Sequence, residues 1–195
     1  MAGIFLRQLA VGPMENFAYL MGAAPGGECV AVDPGWEAAK ILAAARSGGC
    51  RVVAVLLTHG HFDHAGAVQE LSREGDIPVF AFRGEDGATA VLAGLEFRFL
   101  HTPGHTPDSQ CILAAGQLFT GDTLFIDCCG RTDLNGSSPA QMHQSLRRLA
   151  ALPAETMVWP GHDYGDRPRA TLGEVLKMNP YLAAASLQDF LRLEA

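Results

Sequence analysis

Residues 52–57, Val-Val-Ala-Val-Leu-Leu, form an unbroken apolar run that ends without a spacer in Thr58-His59-Gly60-His61-Phe62-Asp63-His64. A β-strand turns successive side chains to opposite faces, so a run with no polar alternation belongs to a strand covered on both sides. Such a strand needs apolar layers above and below it, which predicts a layered α/β fold. The strand also fixes whatever follows it, because its hydrogen-bonded ladder holds the last residue in place. Three imidazoles and a carboxylate follow here. These are the ligand types that borderline divalent metals prefer, and the glycine lets side chains two apart converge.

Four ligands in one loop do not complete two sites. Three later turns each follow a β-type run and carry one further candidate: Thr102-Pro103-Gly104-His105, Thr120-Gly121-Asp122-Thr123 and Trp159-Pro160-Gly161-His162-Asp163-Tyr164. One such turn alone reads as an ordinary capped turn. Together with the His59–His64 loop, the three point to a metal site. Five of the seven histidines are then assigned. His101 reads as a supporting or structural residue at a strand end, and His143 as a surface or interface residue on a helix.

The rest of the chain fits one layered domain, residues 1–195. Strands are expected at 17–22, 29–33, 78–82, 95–100, 110–113 and 156–159. Helices are expected at 36–46, stopped by Gly48-Gly49, at 64–74 with Asp63 as N-cap, and at 139–152, where Met142, Leu146 and Leu149 share one face. A net charge of −7 without a basic block excludes phosphate-backbone binding, so no nucleic-acid partner is expected. No apolar run reaches the roughly 18 residues of a membrane helix, and Met1–Arg7 has no secretory apolar stretch. The expectation is a cytoplasmic protein without a membrane partner, a monomer or a homodimer. The five cysteines have no C-x-x-C spacing, so neither a disulfide framework nor a thiolate zinc site is expected. Cys29 and Cys111 read as core residues, and Cys128-Cys129 as a structural pair in a loop.

The H-x-H-x-D-H loop and the T-P-G-H, G-D-T and P-G-H turns, in this order, resemble the metallo-β-lactamase fold, and the resemblance covers nearly the whole chain. It implies a four-layer αββα sandwich with metals at one edge between the sheets. One metal would take His59, His61 and His105. The other would take Asp63, His64 and His162, with Asp122 bridging. The implied cofactors are two divalent ions, zinc foremost, with iron or manganese as alternatives.

Within that family, the segment 121–125, Gly-Asp-Thr-Leu-Phe, is similar to glyoxalase II-like hydrolases, and 129–134, Cys-Gly-Arg-Thr-Asp-Leu, resembles persulfide dioxygenases and compact bacterial hydrolases. The first resemblance implies hydrolysis of a thioester or related small ester, hydroxyacylglutathione hydrolase-like, with a metal-bound hydroxide as nucleophile and Asp63 orienting it. A thiolate leaves without help from an acid, whereas an amine needs one, and no spare Glu or Lys stands near these turns. The second implies a single Fe(II) on His59, His105 and Asp122 acting on glutathione persulfide. A metal-stabilised binding module is a third reading, but a closed structural zinc site needs only four ligands. The expected substrate is a small anionic thiol derivative, glutathione-based ones among them. Arg131, which can pair with a carboxylate, and Tyr164, next to His162, are the substrate-contact candidates. The 195 residues offer no counterpart of the helical domain with which full-length glyoxalase II holds glutathione.

Overall fold

The computed structural model describes residues 3–194; Met1, Ala2 and Ala195 lie outside the described residues, including the start of the segment read above for a leader. Two mixed sheets lie face to face. The first has the order β1-β2-β3-β4-β5, formed by Phe5–Val11, Asn16–Gly22, Glu28–Val32, Arg51–Leu56 and Val79–Phe80. The second has the order β11-β10-β9-β8-β7-β6, formed by Ala170–Thr171, Met157–Pro160, Gln117–Gly121, Gln110–Ala114, Leu95–His101 and Thr89–Leu92. The β3–β4, β4–β5 and β9–β10 pairs are parallel.

The apolar runs divide between faces as the pleat requires. On β2, Phe17, Tyr19 and Met21 point into the seam between the sheets, while Ala18 and Leu20 join the outer core. Val30 and Val32 on β3, and Ala54 and Leu56 on β4, face Phe97, Phe99, Ile112, Phe119 and Trp159 of the second sheet. Helix α1, Ala38–Ser47, covers the first sheet through Ala38, Ile41 and Ala45. Two short helices, α2 at Phe62–Ala65 and α3 at Val68–Leu71, follow the ligand loop. Helix α4, Pro139–Leu149, covers the second sheet through Met142, Leu146 and Leu149, with α5 (Leu172–Met178), α6 (Pro180–Ala183) and α7 (Leu187–Leu193) beside it. The result is the expected αββα sandwich. Each fully buried Leu, Ile or Phe side chain contributes about 1.5–3 kcal/mol to it. Among the described residues, no helix is long and apolar enough to cross a membrane.

Several expectations are corrected. Asp63 is not an N-cap: the cap position of α2 is His61, and the Asp63 carboxylate turns to the histidine cluster. The single helix expected over 64–74 is instead α2, α3 and a tight 3-10 turn at Ser72–Glu74. Gly66 sits so close to the Gly35 carbonyl that a side chain there would meet it at 2.6 Å, and the helix is interrupted at this crossing, between Ala65 and Val68. His143 is half-buried on α4, where it contacts the Ala184 carbonyl at 3.2 Å and packs beside Phe190.

Candidate metal centre

The site sits where strands of both sheets stop. β4 leads through Leu57 and Thr58 to His59, His61, Asp63 and His64. From the second sheet, β7 leads to His105, β9 to Asp122 and β10 to His162. The two sheets are tied together at this edge by backbone and side chain. Gln110 donates from its backbone N–H to the Thr58 carbonyl at 2.8 Å and from Nε2 to the Leu57 carbonyl at 2.7 Å. The Phe17 N–H donates to the Gly161 carbonyl at 2.8 Å, and within the second sheet the Gly161 N–H donates to the Gly121 carbonyl at 2.9 Å. Candidate ligands that follow closely on strand ends thus converge at one edge.

All seven residues singled out as metal-ligating meet in one cluster. His59 Nε2 and His105 Nε2 each lie 3.1 Å from His61 Nδ1. His64 Nε2 and His162 Nε2 are 3.2 Å apart, with Asp63 Oδ2 3.4 Å from the latter. Asp122 stands between the halves, its Oδ2 3.5 Å from both His105 Nε2 and His162 Nε2. Three triplets have ligand atoms within 4.8 Å of one another: His59-His61-His105, Asp63-His64-His162 and His59-His64-Asp122.

The outward ring nitrogens settle which inward ones carry lone pairs. His105 Nδ1 donates to the Arg131 carbonyl at 2.9 Å, and His162 Nδ1 to the Met14 carbonyl at 2.8 Å. His64 Nδ1 donates to Asp33 Oδ2 at 3.1 Å. A carbonyl or carboxylate only accepts, so each of these rings is protonated on its outer nitrogen. The Thr58 hydroxyl gives its hydrogen to Asp33 at 2.6 Å, which leaves its oxygen to accept from His59 Nδ1 at 3.1 Å. With both rings neutral, the His64 and His162 Nε2 lone pairs therefore face each other at 3.2 Å. Asp122 Oδ1 is buried without a hydrogen-bond partner, although His64 Nε2 lies 3.2 Å away. Converging lone pairs and an orphaned carboxylate oxygen fit divalent cations, and the nitrogen and oxygen donor set suits zinc, iron or manganese.

Charge tells the same story. Burial and the neighbouring His64 push His59 down to about 3, so it stays neutral. Burial also favours neutral carboxyls, but His64 and His162 outweigh it and hold Asp122 well below the usual range. Asp63 is lowered too: burial opposes, while His162 and Asn16 prevail. The buried anions need matching positive charge. Without a cation it comes from protons on His64, whose affinity is raised against burial by Asp122 and Asp33, and on His162, pushed up to about 9 by Asp122 and Asp63. A divalent ion supplies the same charge.

Two supporting residues carried no signal in the sequence reading. Asp33, buried and with φ 47°, accepts from the Thr58 N–H at 2.7 Å as well as from Thr58 Oγ1 and His64. A non-glycine residue in that region is uncommon and marks a position fixed by its surroundings. Asn16, also buried, donates from Nδ2 to Asp63 Oδ2 at 3.0 Å and accepts from the Trp36 indole at 3.0 Å.

A cleft of about 420 Å³ opens over the cluster. Both substrate-contact candidates line it. Tyr164 stacks on His162 with ring centroids 4.6 Å apart. Arg131 points along the exposed edge and makes two 2.9 Å hydrogen bonds to Asp133, while its carbonyl holds His105. Cys128 and Cys129 line the cleft as well, and burial pushes Cys128 up to about 12 and Cys129 further. Cys29 and Cys111 are core residues. His101 lies outside the cluster, stacked on Phe82 at 3.9 Å.

A family model described as the metallo-beta-lactamase superfamily matches residues 11–90 and 82–162. A probable polyketide biosynthesis zinc-dependent hydrolase, BaeB, of Bacillus velezensis is 33% identical over 192 residues, covering 90% of this chain and 85% of that protein. A hydroxyacylglutathione hydrolase of Xanthomonas campestris pv. campestris is 40% identical over 163 residues, 77% of this chain. The chain spans 62% of the length of that hydrolase. Among solved structures, ETHE1 from Myxococcus xanthus superposes with a TM-score of 0.86 at 30% identity, covering 97% of this chain and 89% of that one. TTHA1623, solved in a di-iron-bound form, gives 0.77 at 35% identity, with 90% and 99% covered.

Proposed function

The chain belongs to the metallo-beta-lactamase superfamily, and from that premise we propose that it is a two-metal hydrolase of thioesters or related small esters, acting on a small anionic thiol derivative. The observation that carries this reading is the division of the cluster into two donor sets that share Asp122. His59, His61 and His105 would hold one cation and Asp63, His64 and His162 the other, with Asp122 between. When bound, such a pair lowers the pKa of a bound water toward about 7 and polarises a carbonyl oxygen.

The chain's own groups do the rest. Asp63, kept anionic and held by Asn16, is placed to accept a hydrogen bond from the attacking water and orient it. Asp33 and the Met14 and Arg131 carbonyls fix the imidazoles, so no reorganisation is needed during reaction. Beyond the seven, the titratable residues lining the cleft are Cys128, Cys129, Arg131 and Tyr164. None is tuned toward neutral pH, since burial raises both thiols and the phenol. A leaving amine would lack its acid; a thiolate does not need one. Tyr164, stacked on His162, meets the substrate at the cluster. Arg131 pairs with Asp133 at an exposed edge, where solvent screens the ion pair, so a substrate carboxylate on the thiol side competes for it.

The second reading, a single-iron oxygenase of thiol persulfides, is supported by the 129–134 segment and its resemblance to persulfide dioxygenases. Metal content per chain, glutathione-thioester hydrolysis and oxygen uptake with glutathione persulfide separate the two. The expected result is two metals, thioester cleavage and no oxygen uptake. One iron per chain with oxygen uptake overturns the hydrolase in favour of the oxygenase.

A further inference from the structure

The cleft over the metal cluster is walled by carbon. Phe125 lies buried at its floor and Leu134 half-buried in one wall. Met14, Phe62 and Tyr164 stand around the mouth, 40%, 64% and 48% exposed. Among the described residues, eight large apolar side chains are exposed, and three of them ring this one cleft. Singly scattered apolar residues mean nothing, but a rim gathered around a polar centre is how a ligand site is built. The rim is also held in shape. Tyr164 stacks on His162 and meets Phe125 edge-on at 5.4 Å, and Phe62 meets Trp36 edge-on at 5.6 Å.

The polar side of the cleft is sparse. Outside the seven clustered residues and Arg131, the polar side-chain groups on its walls are two thiols and the Tyr164 hydroxyl, which reaches the Met14 carbonyl at 3.5 Å. Arg131 stands at the exposed edge, where it serves the thiol part. The one hydroxyl among these groups is turned toward the Met14 carbonyl, and thiols are weak hydrogen-bond partners for a hydroxyl on the acyl part. A site built for a substrate hydroxyl discriminates strongly through such a group, while an apolar wall favours each added methylene instead.

Resting on the thioester-hydrolase reading, we propose that the rim selects the acyl group, and that the preferred substrates carry unsubstituted apolar acyl chains rather than hydroxyacyl groups. The hydrocarbon lies along Met14, Phe62, Phe125 and Leu134, with the carbonyl at the cluster. Water adds to the acyl carbon as the C–S bond breaks. The electron pair leaves on sulfur, and the products are a carboxylate, a thiol and one released proton.

The test holds the thiol constant. The metal-loaded protein is assayed with propionyl, butyryl, hexanoyl, octanoyl and lactoyl thioesters of glutathione. The matching S-alkyl thioethers, which cannot be hydrolysed, are titrated for Kd. The expected kcat/KM rises about four-fold per methylene until the rim is covered, and Kd falls in step. Propionyl outperforms lactoyl, and Leu134→Ser flattens both slopes. A flat series in either measure, or a lactoyl ester turned over as fast as the propionyl ester, overturns the proposal and leaves thioester hydrolysis standing. Chain-length-dependent Kd with no thioester hydrolysed keeps the rim and sinks the reaction. Neither binding nor turnover overturns both.

Discussion

Asp33 shows how much one side chain outside the cluster can govern. Its two oxygens receive three hydrogen bonds, from the Thr58 N–H, the Thr58 hydroxyl and His64 Nδ1. The strand end, the hydroxyl that orients His59 and the tautomer of His64 all depend on that carboxylate. Asp33→Asn keeps the shape but turns an acceptor into a donor against one of these partners. Supporting residues of this kind typically change metal affinity 10–100-fold, and a buried group left unpaired costs about 1–3 kcal/mol. The expected variant is folded, with metal affinity weakened by at least ten-fold, read by titration with zinc against a competing chelator. Unchanged affinity would reduce Asp33 to a turn residue. In the sequence Asp33 stood in a plain Asp-Pro-Gly turn and Asn16 at the start of a strand. Neither belongs to a spaced motif, because each acts through a contact distant in sequence, 31 residues to His64 and 47 to Asp63.

At the scale of elements, the turn after β10 is as demanding as the ligands. Gly161 lies so close to the centre that an added Cβ would stand 2.6 Å from Asp122 Oδ1 and 2.8 Å from His64 Cε1. Gly161→Ala should therefore leave the sandwich folded by circular dichroism while metal content and thioester turnover fall together. A variant with full metal content would show that the turn has slack. The same scale shows which elements the sequence made legible. Strands buried on both faces, such as β2, β3 and β4, were readable as continuous apolar runs, and α4 by its apolar stripe and Pro139. β1 was not. It is an edge strand half open to solvent, and Arg7 and Gln8 interrupt its apolar pattern. The short C-terminal helices were missed for a different reason. A seven-residue helix shows barely two turns of periodicity, yet its caps were there to read: Thr171 with Glu174 forms a capping box, and Ser186 caps α7. The ligand turns were legible because each glycine or proline beside a His or Asp marks a strand end, and strand ends of one sandwich edge lie together.

For the molecule as a whole, the buried acids set an alkaline limit. Burial pushes the Cys111 thiol up to about 11 and Cys29 up to about 12, and raises the Tyr19 phenol well above 10. In the unfolded chain these thiols release their protons near pH 9, while in the native protein they do not. Above that pH the unfolded state binds fewer protons than the native state, so stability falls as pH rises. Urea unfolding at pH 8, 9 and 10 should give a falling free energy above about pH 9. The double variant Cys29→Ala, Cys111→Ala should be less stable at pH 8 but lose less on going to pH 10. An equal loss in both proteins would place the alkaline limit elsewhere.

The proposed ligands run from residue 59 to residue 162 and come from strand ends of both sheets. Four lie in the 59–64 stretch, but the full set is not gathered before β7, β9, β10 and the first sheet have come together, and contacts so distant in sequence form late. An ion bound there would act as a latch that engages only on the finished sandwich. It would do little for the speed of folding, and it would have to leave before the two sheets could part, so metal supply would set how long each folded molecule lasts rather than how quickly it is made.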